Sequence, residues 1–460
     1  MRTLANEAEG EPAVELSRDQ MLERIRAAGV VGAGGAGFPT HVKLDAGVEV
    51  VIANGAECEP LARVDQQQMA QQPAELLRGL RIAMACTGAE RGVIALKAKY
   101  APAIEALAEQ MRLQRLGDSI ALHELDNFYP AGDEFVLVRD VLGRVIPEFG
   151  LPLHVGAVVS NVSTLIDVAA AVDRQQPVCE RTVTVAGRVA APASFRVPLG
   201  TPLAALVAAA GGATVADPHL IAGGPMMGQL AAGEQPVVKT TSAVLVLERS
   251  HPVVQRRLRS VARQVQLTRS ACLKCMMCTE VCPRNALGHQ LVPDRLMRNL
   301  AAGVAEDPRA FASAYLCSEC GLCAVYGCVM GLDPCAVNHE MKQQLAAAGV
   351  DRPEAADLPE RVYGPLRRVP SARLVARLGL ADCDLAAPLR SFDQPLQRLR
   401  LPLHQHTGAP AVPCVAAGEA VAAGQPIGEI AQGALGARIH APRAGRLVDW
   451  NDDTATIELG

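Results

Sequence analysis

The sequence predicts a multidomain protein of mixed α/β and α+β class, and three observations carry that prediction. Apolar runs alternate with helical patterns over the first third. A strand–hairpin–helix module follows, and two dense cysteine arrays come next. At 460 residues the chain is too long for one core, because domains settle near roughly 100–200 residues. Half of the residues are hydrophobic but only 3% are aromatic, so packing rests on Ala, Val and Leu. A net charge of −4 gives no basis for nucleic-acid binding. Fourteen cysteines without a charged and then apolar leader point to a reducing cytoplasm and metal ligation. The most apolar window, residues 155–172, is interrupted by Ser160, Asn161, Ser163, Thr164 and Asp167. It makes a poor membrane span.

Residues 1–16 read as a flexible polar tail. Ser17 to Gln20 form a capping box that opens an amphipathic helix ended by Gly29. A strand is expected at Val48–Ala53, helices at 73–86 and 99–115, and short strands at Val93–Leu96 and Ile120–Leu122. That alternation predicts a mostly parallel sheet in an α/β domain over 17–178. Val183–Gly187 and Phe195–Pro198 predict a hairpin, followed by a helix at 202–210 and the run Gly223-Gly224-Pro225-Met226-Met227-Gly228. These define an α+β module at 179–248. Residues 249–269 hold six arginines and no acid, either a solvated helix face or a basic brace for the cysteine domain at 249–348. A Pro/Arg/Leu-rich connector occupies 349–400. Glycine-punctuated β runs over 401–460 resemble a lipoyl/biotinyl-type barrel-sandwich. No lysine follows Lys342, so this domain is read as structural or docking rather than as a swinging arm.

Cys272, Cys275, Cys278 and Cys282, with Pro283 after the last, form a literal C-x2-C-x2-C-x3-C-P. That run wraps 4Fe–4S clusters, and its fourth cysteine ligates the other cluster in two-cluster ferredoxins. Cys317, Cys320, Cys323 and Cys328 form the second array. Crosswise ligation gives one cluster Cys272, Cys275, Cys278 and Cys328, and the other Cys317, Cys320, Cys323 and Cys282. The competing readings are structural zinc and disulfides. Two C-x2-C-x2-C triplets overfill the paired C-x2–4-C pattern of a zinc site. Cys335 lies outside the spacing and has an alternative reading as a substitute for Cys328. His289 and His339 read as structural. Met226, Met227, Met276 and Met277 are expected in the core or shielding a cluster.

Gly32-x-Gly34-x-x-Gly37 matches a dinucleotide fingerprint, but a helix precedes it and Pro39 spoils the helix start a Rossmann loop needs. Such a loop still bares backbone N–H groups to a phosphate or flat ring. Gly32 through Thr40 resembles the FMN loop of the NADH-oxidising flavoprotein subunit of respiratory complex I and of its RnfC relatives. Asn54-Gly-Ala-Glu57-Cys58-Glu59-Pro60 is similar to their N-x-x-E-x-E-P segment, and Asn161-Val-Ser-Thr164 to their Asn-Val-x-Thr. The resemblance implies that Gly32, Gly34, Gly35, Gly37, Phe38, Lys43, Asn54, Asn161 and Thr164 surround FMN. It also implies that Glu57 and Glu59 lie near the flavin–nicotinamide contact. Leu44 replaces a family tryptophan, and the complex I C-G-E-E-T segment is absent. Tyr129-Pro-Ala-Gly132-Asp133-Glu134 stands closer to the RnfC form, which makes Glu134 a further binding residue.

Segment 182–230 resembles the soluble-ligand-binding β-grasp (SLBB) domain of these proteins. RnfC carries its barrel-sandwich at the N-terminus, whereas here it follows the clusters. That order is similar to the PduS family, the cobalamin reductases of propanediol-utilisation microcompartments, from about residue 17 onward. The resemblance implies an oxidoreductase passing electrons from NADH through FMN and two 4Fe–4S clusters to a corrinoid. Cobalamin adenosyltransferase or another redox protein would be its partner, possible contact with a shell protein would follow, and its place would be the cytoplasm within a microcompartment. The alternatives are NADH recycling against ferredoxin, as in a glycyl-radical microcompartment, an RnfC-type peripheral subunit, and a non-enzymatic cluster-bearing shuttle.

Overall fold

The computed structural model describes residues 16–303, 308–355, 359–361, 364–451 and 453–460. The expected tail, Leu16 apart, lies outside the described residues. Helix α1 (Arg18–Ala27) starts where the Ser17 hydroxyl accepts the Gln20 amide and the Gln20 side chain accepts the Ser17 N–H at 2.9 Å. Gly29, at φ +66°, turns the chain out of it. A short α2 (Thr40–Lys43) follows the glycine loop.

Strands β1 (Val50–Gly55), β2 (Arg91–Lys97), β3 (Ile120–Leu125), the two-residue β4 (Phe128–Tyr129) and β5 (Ala157–Asn161) come next. Four of them form a parallel sheet in the order β3-β2-β1-β5. β1 is buried almost throughout, as a strand covered on both faces must be. The covering helices are α3 (Val64–Gln71), α4 (Pro73–Thr87), α5 (Ala101–Leu113), α6 (Glu134–Leu142) and α7 (Val162–Arg174). From β1 the chain builds outward to β2 and β3 on one side, then returns to place β5 on the other. The strand order therefore reverses between β1 and β5, where Asn54 stands beside Asn161. Open α/β sheets bind ligands in that crevice, outside the carboxyl ends of the strands.

The α+β module contains β6 (Glu180–Gly187), β7 (Ala193–Pro198), α8 (Leu203–Ala209), β8 (Pro218–Ala222), β9 (Gln229–Ala231) and β10 (Ala243–Glu248). The cysteine domain is built on α9 (Pro252–Leu258), α10 (Val261–Ala271), α11 (Met277–Glu280), α12 (Pro283–Ala286), α13 (Pro293–Ala302) and α14 (Pro334–Ala347), with a π-helical turn at Cys323–Gly327. The connector does more than connect. Its β11 (Val369–Pro370) pairs with β4, α15 (Ser371–Leu378) follows, and β12 (Leu389–Arg390) extends the sheet of the α+β module beside β7. Two-residue strands leave no period to read in sequence.

The last region forms two sheets. One is built from β13 (Arg398–Pro402), β15 (Ala420–Val421), β18 (Gly445–Asn451) and β19 (Thr454–Glu458). The other contains β14 (Val412–Pro413), β16 (Pro426–Glu429) and β17 (Ile439–His440). They do not close into a barrel. A single buried apolar cluster runs from Ile25 and Leu80 through Val244 to Ile439, fusing the parallel-sheet, α+β and C-terminal regions. No helix among the described residues is long and apolar enough to cross a membrane.

Candidate functional site

The glycine loop is pinned at both ends and from behind. Gly32 N–H donates to the Phe38 carbonyl at 3.0 Å, and Ala33 N–H to the Thr164 hydroxyl at 2.9 Å. Thr407 N–H donates to the Gly37 carbonyl at 3.1 Å, and its hydroxyl to the Ala36 carbonyl. A Cβ on Gly37 would meet Thr240 and the backbone of Gln405 and His406 at 3.0–3.1 Å. The C-terminal domain is thus the backstop of this loop. Buried Lys239 reinforces the joint, donating to the carbonyls of Gly29 and Arg438 at 2.7 and 2.6 Å.

Toward the crevice the loop is open. A Cβ on Gly35 would meet nothing within 4 Å, whereas one on Gly34 would lie 3.0 Å from Asn161 Nδ2. Among the described residues the amides of Gly34 and Gly35 have no protein acceptor. Bare amides on a glycine turn above the carboxyl ends of β1 and β5 suit a phosphate and a flat ring system. The residues present fit FMN on that count. Phe38 is partly exposed beside the loop. Burial lowers the Lys43 ammonium from its usual range, opposed by the Glu134 carboxylate nearby. Asn54 donates to the Gly132 carbonyl at 2.9 Å, tying β1 to the 129–134 turn.

The two glutamates take structural partners. Glu57, at φ +39°, accepts from Asp65 N–H at 2.8 Å and Gln66 Nε2 at 2.8 Å, covering the start of α3. Glu59 accepts the amides of Met226 and Met227 at 2.9 and 2.7 Å, gripping the Gly223–Gly228 turn of the α+β module. Burial pushes its carboxyl up, while those amides, Arg257 and Arg256 pull it down. Cys58 between them accepts from Gly132 N–H at 2.7 Å, and burial pushes its thiol up to about 11.

Asp65 was not legible in sequence. Its carboxylate accepts from Asn161 Nδ2 at 2.8 Å and from the Ser163 hydroxyl at 3.0 Å, directly under the glycine loop. Desolvation and the neighbouring Glu57 push its pKa up to about 7. The native state therefore holds a proton that the unfolded chain has released between about pH 4 and pH 7. This contribution weakens the fold as pH rises through that window and is constant above it. The difference in melting temperature between Asp65→Asn and the parent, at fixed FMN, should shift in favour of the variant from pH 4.5 to pH 7.5. A difference independent of pH would refute the shifted carboxyl.

Both cysteine arrays curl the same way. Lys274 and Met276 flank Cys275 at φ +55° and +64°, and Glu319 and Gly321 flank Cys320 at +59° and +77°. Left-handed backbone at non-glycine residues is costly and marks a loop wrapped around something. Cys278 interacts electrostatically with Cys275 and Cys328, and Cys272 and Cys328 pack against one apolar cluster. Cys282 faces Cys317, and Cys320 senses both of them. Burial pushes the Cys278 and Cys282 thiols up to about 12, so bound iron would be needed to hold them as thiolates. Among the described residues no three His, Cys, Asp or Glu side chains converge on a single-ion site; a cubane, larger than one ion, spaces its thiolates further apart.

Cys335 is an electrostatic neighbour of Cys317 and Cys323, a fifth sulfur at the second array. His289 binds the Ile146 carbonyl at 2.9 Å and His339 the Glu319 carboxylate at 2.8 Å, both in structural roles. The arginine stretch divides. Arg256 and Arg257 turn inward to carbonyls of the Gly223–Gly228 turn, while Arg259, Arg263 and Arg269 stay exposed. Of the four methionines only Met226 is buried. The other three are exposed, contrary to the expected shielding.

The second array touches the parallel-sheet domain directly. The Tyr129 hydroxyl donates to the Cys320 carbonyl at 2.7 Å. Arg284, two residues after Cys282, pairs with Asp133 at 2.9 Å and stacks 3.6 Å from the Phe135 ring centroid.

Residues 25–170 match the Nuo51 FMN-binding domain family, and 182–230 match the SLBB domain. Residues 271–333 match a 4Fe-4S dicluster domain, and 386–457 match the RnfC barrel sandwich hybrid domain. Cobalamin reductase PduS of Salmonella typhimurium is 45% identical over 100% of both chains. The chain belongs to the PduS cobalamin reductase family. A second member, from Citrobacter freundii, is 44% identical over 95% of this chain and 96% of its own. A subunit of the proton-translocating ferredoxin:NAD(+) oxidoreductase complex of Clostridium ljungdahlii is 34% identical over 58% of this chain and 57% of its own. As a family member the chain is an oxidoreductase for flavin and iron–sulfur electron transfer, with an FMN-binding domain and two 4Fe–4S clusters.

Proposed function

We propose that the chain is an NADH-dependent corrinoid reductase whose second cysteine array lies next to the flavin. Gly32, Gly34, Gly35 and Gly37 would hold FMN with Phe38, Lys43, Asn54, Asn161 and Thr164, and Glu134 would steady Lys43. The two crosswise cysteine sets would each hold one cluster. When bound, the flavin takes electrons in pairs from a nicotinamide and gives them up singly to iron–sulfur centres. The chain's own residues keep the centres apart, exclude water and set the order. Glu57 and Glu59 serve by positioning rather than by proton transfer, since their oxygens are spent on backbone and side-chain N–H groups.

The single observation that carries the order is the bond from Tyr129 to Cys320, backed by the buried Arg284–Asp133 pair. A corrinoid as terminal acceptor is supported by full-length similarity to proteins named cobalamin reductase. That chemistry suits partnership with a cobalamin adenosyltransferase inside a microcompartment. The working units are taken as 17–178, 179–248, 249–348 and 401–460, with 349–400 as a strap.

Anaerobic protein carrying FMN and iron should reduce aquacobalamin with NADH, followed by its visible spectrum. Loaded protein that oxidises NADH with ferredoxin but leaves the corrinoid untouched would replace this reading with the ferredoxin alternative.

A further inference from the structure

Large hydrophobic side chains exposed to solvent are not scattered evenly over this molecule. Five of the sixteen among the described residues lie on two short loops: Leu273, Met276, Met277, Val329 and Met330. Leu273 is 63% exposed and Val329 is 61% exposed. These loops carry Cys272, Cys275, Cys278 and Cys328, and they touch, because a Cβ on Gly327 would meet Met277 O and Cys278 Cα at 3.0 Å. The Cys275 thiol is itself exposed. The second array is shut in by contrast, with Cys282 and Cys323 buried and Cys320 tied to Tyr129. Contiguous apolar patches of this kind mark interaction surfaces on soluble domains.

The charge around the patch has one sign. Residues 249–279 and 321–332 contain no acidic side chain, although the chain as a whole is acidic. Arg259, Arg263, Arg269 and Lys274 are exposed there, and Arg259 donates to the Gly331 carbonyl at 3.2 Å, which fixes it beside the second loop. The acids that border these stretches are each taken by a cation: Glu248 meets Arg188, Glu280 meets Arg367, Glu319 meets Lys342 and His339, and Asp333 is buried against Arg256. An apolar centre ringed by cations steers and seats an acidic partner.

We propose that the 273–277 and 329–331 loops are the docking face for an acidic redox protein, and that electrons leave the molecule there. One electron crosses per encounter, oxidising the first-array centre by one and reducing the partner by one. The electron is supplied from NADH, or from dithionite in the test. The inference rests on the iron–sulfur reading of the arrays but not on the corrinoid as final acceptor.

The test uses full-length, iron-loaded protein reduced with dithionite, freed of excess reductant and mixed anaerobically with acidic flavodoxin or with basic cytochrome c. For the parent, the flavodoxin rate should fall about tenfold or more between low and high ionic strength, as steered encounters do. Combined Arg259→Glu, Arg263→Glu and Arg269→Glu substitution should slow flavodoxin by a similar factor and leave cytochrome c unslowed. Iron, sulfide and the reduced-cluster signal should match the parent. Rates on flavodoxin that ignore both salt and the charge reversal would overturn the docking face. The salt series on the parent decides even if the triple variant does not fold. A preparation without iron would instead overturn the cluster reading beneath it.

Discussion

Cys320→Ser protein should still have its flavin reduced by NADH but should no longer pass electrons to the first-array centre. Reduction of an external acceptor then falls to the level of cluster-free protein. On the proposed assignment Cys320 is the second-array ligand whose backbone is bonded to Tyr129 of the flavin domain, and Cys282, assigned to the same cluster, is followed by Arg284, which is anchored on Asp133 and Phe135. The partner substitution Cys275→Ser should behave differently. Iron should drop by about half, as in Cys320→Ser, yet NADH should still reduce the remaining second-array centre. Electron paramagnetic resonance of the NADH-treated proteins separates the two cases. Equal reduction of the surviving centre in both variants would contradict the order.

Gly34→Val should cost most of the FMN. The new branched side chain would begin 3.0 Å from Asn161 Nδ2 and 3.2 Å from its Cβ. Asn161 is not free to yield, since it caps α7 through the Ser163 amide at 2.8 Å and donates to Asp65 at 2.8 Å. Overpacking of that kind costs about 1–3 kcal/mol, or roughly tenfold to a hundredfold in Kd for FMN. Gly35→Ala probes the open side of the loop: its Cβ meets no protein atom within 4 Å, so the fold should be untouched and any loss of affinity reports contact with FMN itself. Fluorescence titration of the apo-flavin protein reads both. Unchanged FMN affinity in Gly34→Val would remove the loop from the flavin site.

What the sequence made legible follows from how local each signal is. Cysteine spacing and the repeated left-handed positions express one loop conformation used twice, so the arrays could be read from a dozen residues. The capping box at Ser17 and the helix near residues 73–87 are equally local. Other features depend on pairs of positions far apart. Asp65 matters because Asn161 and Ser163 arrive above it from the far end of the domain. Glu59 has its partners 167 and 168 residues away. The C-terminal domain backs the glycine loop through Thr407 and Gln405, a contact no period or motif announces. The methionines misled because hydrophobicity alone does not say which side of a loop faces solvent.

Cofactor stoichiometry of anaerobically purified full-length protein, with spectra before and after NADH, bears most directly on the two cysteine sets and the glycine loop. About eight irons, eight sulfides and one FMN per chain are expected from the dicluster and flavin domains, with flavin and cluster absorption both bleached by NADH. Zinc in place of iron, a single cluster, or flavin-free protein with intact clusters would contradict the account.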